Sequence, residues 1–132
     1  LSREAARKMI ARRDGNIIMI SALAGLFGID RVSAYGTSKT AIIGMMNMFV
    51  TEFSRSNVRV NTIAPGWIES DMFFKATDAD PARKQKIINR IAMEGFGKPE
   101  DIGGAAVFLA SNAARYVTGV VLPVDGGAQI NF

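Results

Sequence analysis

Tyr35 and Lys39 are the residues of this 132-residue chain whose types and spacing most directly suggest chemistry. They stand four positions apart in Tyr35-Gly36-Thr37-Ser38-Lys39, so on a helix they project from one face, one turn apart. An ammonium that close to a phenol favours phenolate by Coulomb attraction. A tyrosine so placed can trade a proton with an alcohol or a carbonyl near neutral pH. The plainer alternative is a solvated helix face on which the lysine stem lies along apolar surface. The surroundings of the pair decide between the two.

The chain contains no histidine and no cysteine. That removes thiol chemistry, disulfides, Cys/His metal sites and any Ser-His or Cys-His nucleophile from these residues. Proton transfer is left to Tyr, Lys, Asp or Glu. A composition of 48% hydrophobic and 21% charged residues reads as a soluble globular protein with one core. No apolar run is long enough to span a bilayer. Residues 1–13 are charged and amphipathic, without the apolar segment of a signal peptide. The expected location is the cytoplasm, with no membrane partner. The net charge of +4 includes no basic block, so nucleic acid is not an expected partner, whereas a nucleotide phosphate suits the positive balance.

The elements that must position the pair follow from the hydrophobic pattern. Residues 2–13 read as a helix that ends at the Asp14-Gly15 turn. Asn16 to Ile20 is a continuous apolar run, as expected of a strand covered on both faces in a parallel sheet. A Gly-, Ala- and Ser-rich loop spans residues 21–34. A long amphipathic helix over 34–54 carries the stripe Ala41, Ile42, Met45, Met46, Phe49, Val50 and Phe53. Gly44 inside it suggests close packing against another backbone. A strand over 58–64 stops at Pro65-Gly66. Pro81 opens a helix over 81–93, and Pro99 opens another whose inner face is Ile102, Ala105, Ala106, Phe108 and Leu109. A third strand, 120–124, ends at Asp125-Gly126-Gly127. This strand–helix–strand order predicts an α/β fold with a parallel sheet and right-handed crossovers.

Ligands of open α/β sheets bind beyond the carboxyl ends of the strands. The 21–34 loop, residues 65–70 and Asp125-Gly126-Gly127 all fall there. Tyr35 and Lys39 open the helix that follows the first of these, so they face the same crevice. That convergence favours a proton-transfer site.

With these residues in place the chain resembles the short-chain dehydrogenase/reductase family. The resemblance rests on Gly15 to Ser21, Tyr35-Gly36-Thr37-Ser38-Lys39, Asn61 to Ser70, Gly97 to Ile102, and Thr118-Gly119 through Asp125-Gly126-Gly127, in order and in register. It implies a three-layer Rossmann-type parallel sheet and an NAD(P)-dependent oxidoreductase that interconverts a secondary alcohol and a carbonyl, with NAD or NADP as cofactor. Tyr35 would be the general acid/base. Lys39 would bind the nicotinamide ribose hydroxyls. Pro65 and Gly66 would pass the nicotinamide, with the Ile68 backbone and the Ser70 hydroxyl near its carboxamide. Asn61 would support the site. Residues 71–95 would form a substrate lid, lined by Trp67, Met72, Phe73 and Phe74, unless those side chains merely cover the core. The helix carrying Tyr35 would pack against its mate in a homotetramer or homodimer.

Two departures from the family pattern qualify those roles. Thirteen residues before Tyr35, where the family carries a serine that helps hold the substrate oxygen, stands Ala22. Ser21 is its neighbour, but adjacent residues at a strand end point to opposite sides. The chain also lacks a glycine-rich strand–turn–helix for the pyrophosphate. The resemblance places that motif upstream of Leu1, so residues 1–132 are expected to be the carboxyl-terminal part of a single domain. They would carry its last three strands and leave strand 16–20 with a bare edge. The rival expectation is a non-catalytic family member that binds nucleotide or a protein partner.

Overall fold

The computed structural model describes residues 2–131; the side chains of Met72 and Ala76 lie outside that description. Helix α1 (Ser2–Arg12) leads into strand β1 (Gly15–Ile20). Their junction reverses sharply: Arg13, not Gly15, takes the left-handed conformation at φ 54°, and Asp14 N–H donates to Met9 O at 3.1 Å. Helix α2 (Ser33–Phe53) crosses to β2 (Val58–Pro65). Three helices follow, α3 (Asp71–Thr77), α4 (Pro81–Arg90) and α5 (Pro99–Ala110), and then β3 (Val121–Val124). Pro81 and Pro99 stand in the first turns of α4 and α5, as expected, where a missing N–H costs no helix bond.

Both strand pairings are parallel, in the order β1-β2-β3. Alternation along β2 separates two faces. Val58 and Val60 are fully buried and join Met19, Met46, Phe53 and Ala6 in a core against α1 and α2. Arg59 points the other way and donates to Leu109 O of α5 at 2.7 Å and to Val117 O at 3.1 Å. Asn16 of β1 also donates to Leu109 O, at 2.9 Å. The result is three layers: α1 and α2, the sheet, and α5.

Several expectations need correction. Helix α4 stops at Arg90 rather than 93, because Ala92 and Met93 donate their N–H groups to Gly126 O. Helix α3 occupies part of the stretch 71–95, for which the hydrophobic pattern before Pro81 set no element. On α2 only Met46 and Phe53 are fully buried, Met45 is 40% exposed and Ala41 is exposed. A Cβ at Gly44 would meet nothing within 4 Å, so Gly44 packs against no backbone of this chain. On α5, Phe108 is 44% exposed and Leu109 is buried. Strand β1 is only partly covered despite its continuous apolar run. It pairs on one side alone among the described residues. No helix of the described residues is long and apolar enough to cross a membrane.

Candidate active site

The parallel register brings Ile20 opposite Ile63 and Pro65 opposite Val124, so the strands finish at one edge of the sheet. The three segments expected at the crevice all leave from that edge. Ser21 N–H donates to Ile63 O at 2.8 Å and Gly66 N–H to Val124 O at 2.9 Å, which carries the ladder one residue beyond each strand.

Tyr35 and Lys39 share a face of α2, with Lys39 Nζ 5.5 Å from the Tyr35 ring centroid. Lys39 Nζ donates to Ile20 O at 3.2 Å, which ties the ammonium to the last residue of β1. Tyr35 is 48% exposed. What fixes the helix beside the strand is a tight local contact. A 3-10 turn, Leu23–Gly25, lies against α2. A Cβ at Gly25 would come 2.9 Å from the Lys39 carbonyl carbon, and one at Gly36 would come 2.9 Å from Ala24 O. Two glycines therefore allow turn and helix to touch backbone to backbone.

Ser21 and Ala22 are both buried. Ser21 is 2% exposed, and its hydroxyl donates to Lys39 O at 2.8 Å. It thus serves the packing of α2. Ala22 is buried with an extended backbone (φ −166°, ψ 166°) and brings no hydroxyl.

The segment after β2 is held by Gly97. Trp67 O accepts from Gly97 N–H at 3.1 Å and Glu69 N–H donates to Gly97 O at 2.8 Å. Backbone groups alternate along an extended segment, so the N–H and C=O of Ile68 are turned to the opposite side. Ser70 Oγ caps α3 by accepting from Phe73 N–H at 3.2 Å, and its own proton is left to donate. Asn61 is fully buried, with Nδ2 donating to Val117 O at 3.0 Å and Oδ1 accepting from Val120 N–H at 3.1 Å. It staples the approach to β3.

Trp67 and Phe73 pack against a second core of Leu23, Ile87, Ile91 and Ala128. Phe73 lies edge-on to Phe96, with centroids 4.7 Å apart, and Phe74 is 37% exposed under Lys84. Phe73 is therefore a core-covering side chain, while Trp67 covers the core and also lines two clefts. Met72 lies outside the described side chains. One of those clefts, between residues 27–31 and α4, gathers Arg31, Arg83, Lys86 and Arg90. The sequence reading missed this group, although the spacing of 83, 86 and 90 marks one helix face.

Three layers around a parallel sheet, with a crevice at the carboxyl ends of its strands, define the Rossmann-type α/β class. A family model described as enoyl-(acyl carrier protein) reductase matches residues 1–129. The chain is 41% identical over 127 residues to the 3-oxoacyl-(acyl-carrier-protein) reductase of Rickettsia prowazekii, covering 96% of this chain and 52% of that protein. It is 43% identical over 127 residues to the 2-dehydro-3-deoxy-D-gluconate 5-dehydrogenase of Bacillus subtilis, covering 96% and 50%. A crystal structure from Agrobacterium tumefaciens with bound NADP superposes with a TM-score of 0.90 at 38% identity, covering 96% and 52%. The chain belongs to the short-chain dehydrogenase/reductase family, and it spans about half the length of the curated relatives it matches.

Proposed function

We propose that this chain is the carboxyl-terminal part of an NAD(P)-dependent oxidoreductase that interconverts a secondary alcohol and a carbonyl. The observation that carries the reading is the Tyr35–Lys39 pair, held beside the end of β1 by the bond from Lys39 Nζ to Ile20 O. The solved relatives that hold NADP or NADH support the cofactor class.

The donors present fit the nicotinamide half of such a cofactor. Lys39 offers an ammonium to the ribose hydroxyls. Ile68 offers a backbone N–H and C=O turned away from Gly97, and Ser70 offers its hydroxyl proton to a carboxamide. Pro65 and Gly66 pass close by at the end of β2. When bound, the nicotinamide gives or takes a hydride at C4. In reduction Tyr35 Oη gives its proton to the substrate oxygen, and in oxidation it takes that proton back. Lys39 stabilises the negative charge left on Oη. Trp67 would shape the substrate side. Residues beyond this chain would complete the pyrophosphate cradle and the sheet, and a homodimer or homotetramer would pair the exposed face of α2.

The test is turnover of the complete protein with NAD(H) or NADP(H) on a panel of alcohols and carbonyls. Tyr35→Phe should lower kcat by about 10²- to 10⁴-fold, the usual worth of a positioned acid/base. An unchanged kcat would remove Tyr35 from the mechanism.

A second reading, a non-catalytic member that binds nucleotide or a protein partner, is favoured by Ala22 and by the commitment of the Ser21 hydroxyl to Lys39 O. Calorimetric cofactor binding without turnover on the panel would select it.

A further inference from the structure

Arg83, Lys86 and Arg90 follow one another at i, i+3 and i+7 along α4, which puts them on one helix face. They form the basic wall of the cleft between residues 27–31 and α4. The volume of that cleft is about 460 Å³, within the roughly 300–1,000 Å³ range of small-molecule sites. The facing side brings the rings of Phe27 and Trp67, and Ile87 of α4 adds apolar surface beside Lys86.

With Arg31, four cations share the cleft with two carboxylates, Asp30 and Asp80. Both carboxylates are engaged. Asp80 Oδ1 caps α4 by accepting from Arg83 N–H at 3.0 Å, and Asp30 Oδ2 pairs with Arg31 Nε at 3.3 Å. Among the described residues neither Arg83 nor Lys86 has a carboxylate partner. Arg90 is held rigidly. Its Nε donates to Ala128 O at 3.1 Å, and its guanidinium carbon lies 4.5 Å from the Phe27 ring centroid. Its terminal nitrogens remain as a planar fork of the kind that matches a carboxylate or phosphate edge.

The position of the cleft suits a substrate site. It shares Phe27, Gly28 and Ile29 with a second cleft of about 730 Å³, whose other wall is α2 at Gly36, Thr37 and Thr40. It shares Trp67 with a third cleft, beside Ile68. It therefore adjoins the loop that packs on α2 and the segment that follows β2.

The geometry points to an oxyanion pocket for the substrate. Arg83, Lys86 and the fork of Arg90 hold a carboxylate or phosphate group, while the body of the molecule lies against Phe27 and Trp67. The substrate class is then a compact hydroxy acid or hydroxyalkyl phosphate. This assignment rests on the oxidoreductase reading above, but its test reads binding, so the two fail separately.

Isothermal calorimetry on the complete protein would use three probes that differ in the head group alone: 3-hydroxyhexanoate, 1,3-hexanediol and 3-hydroxyhexyl phosphate. The acid or the phosphate should bind about tenfold or more tighter than the diol, the tighter of the two identifying the head group. The double variant Arg83→Gln/Lys86→Gln should weaken that probe by about tenfold or more and leave the diol unchanged. In turnover it should raise KM for the same probe without lowering kcat. Lys8→Gln, which removes an exposed charge on α1, should change nothing. The assignment is overturned if the diol binds as tightly as both anions, if none of the three binds, or if Lys8→Gln weakens the anion as much as the double variant does.

Discussion

Ser21 and Ala22 are neighbours at the end of β1, and only the first carries a hydroxyl. That hydroxyl is buried and donates to Lys39 O, so its proton is committed to holding α2 in place. Ala22→Ser adds one oxygen at the position whose family counterpart faces the substrate. If Tyr35 is the acid/base, steady-state kcat of the complete protein should rise by about 10²- to 10³-fold, the range for one preorganised donor at a developing charge. No change in a protein that already turns over would mean the hydroxyl is dispensable. Ser21→Ala should do the opposite: no gain in kcat, and a loss of about 1 kcal/mol of stability for the buried hydrogen bond. At this scale the sequence was informative where chemistry is local. A Tyr and a Lys one helical turn apart can be placed from spacing alone, and strand alternation assigned Ser21 to the side opposite Ala22. The basic wall of Arg83, Lys86 and Arg90 was not legible, because its opposite wall, Phe27 and Trp67, comes from segments distant in sequence.

Two glycines of the same neighbourhood have opposite meanings at the scale of elements. Gly25 lets the turn after β1 rest on α2: a Cβ there would come 2.7 Å from Ser21 Oγ and 2.9 Å from the Lys39 carbonyl carbon. Gly25→Ala must push turn and helix apart. The expected cost is about 1–3 kcal/mol, as for other overpacked sites, together with a fall in kcat as Lys39 shifts from Ile20 O. Gly44 lies inside α2 with open space around its Cβ direction. Gly44→Ala should therefore stabilise by about 0.5–1 kcal/mol through helix propensity. Thermal melts of the two variants check both signs, and a destabilising Gly44→Ala would mean that another backbone covers that face. Element type was readable because Pro81, Pro99 and the Pro65-Gly66 stop punctuate the chain strongly. The ends were less so: Arg13 takes the left-handed turn that Gly15 suggested, and α4 ends early because Gly126 O captures the N–H groups of residues 92 and 93. Both depend on tertiary partners that a local pattern does not contain.

At the scale of the whole molecule, the sheet is buried at its centre and open at its edges. Central β2 is buried along almost its entire length, whereas among the described residues β1 and β3 each pair on one side only, and Ile20 at the end of β1 is 46% exposed. A parallel strand expects neighbours on both edges and helices on both faces. The apolar run of residues 16–20 is therefore less covered than a central parallel strand would be. The exposed side chains of Met48, Val107 and Phe108 add apolar surface to the same imbalance. An unpaired, apolar parallel edge is a template for further pairing. Expressed alone, the 132-residue chain should associate in a concentration-dependent way, read as a rising mass by light scattering. Ile20→Lys places a charge at the end of that edge, the device natural sheets use against edge pairing, and should lower the mass. It should do so without loss of helical signal in circular dichroism, because Ile20 lies outside the core of Met19, Met46, Val58 and Val60. A parent chain that stays monomeric at high concentration, with a cooperative melt, would show that the edge needs no partner. It would also count against the reading of these residues as part of a larger sheet.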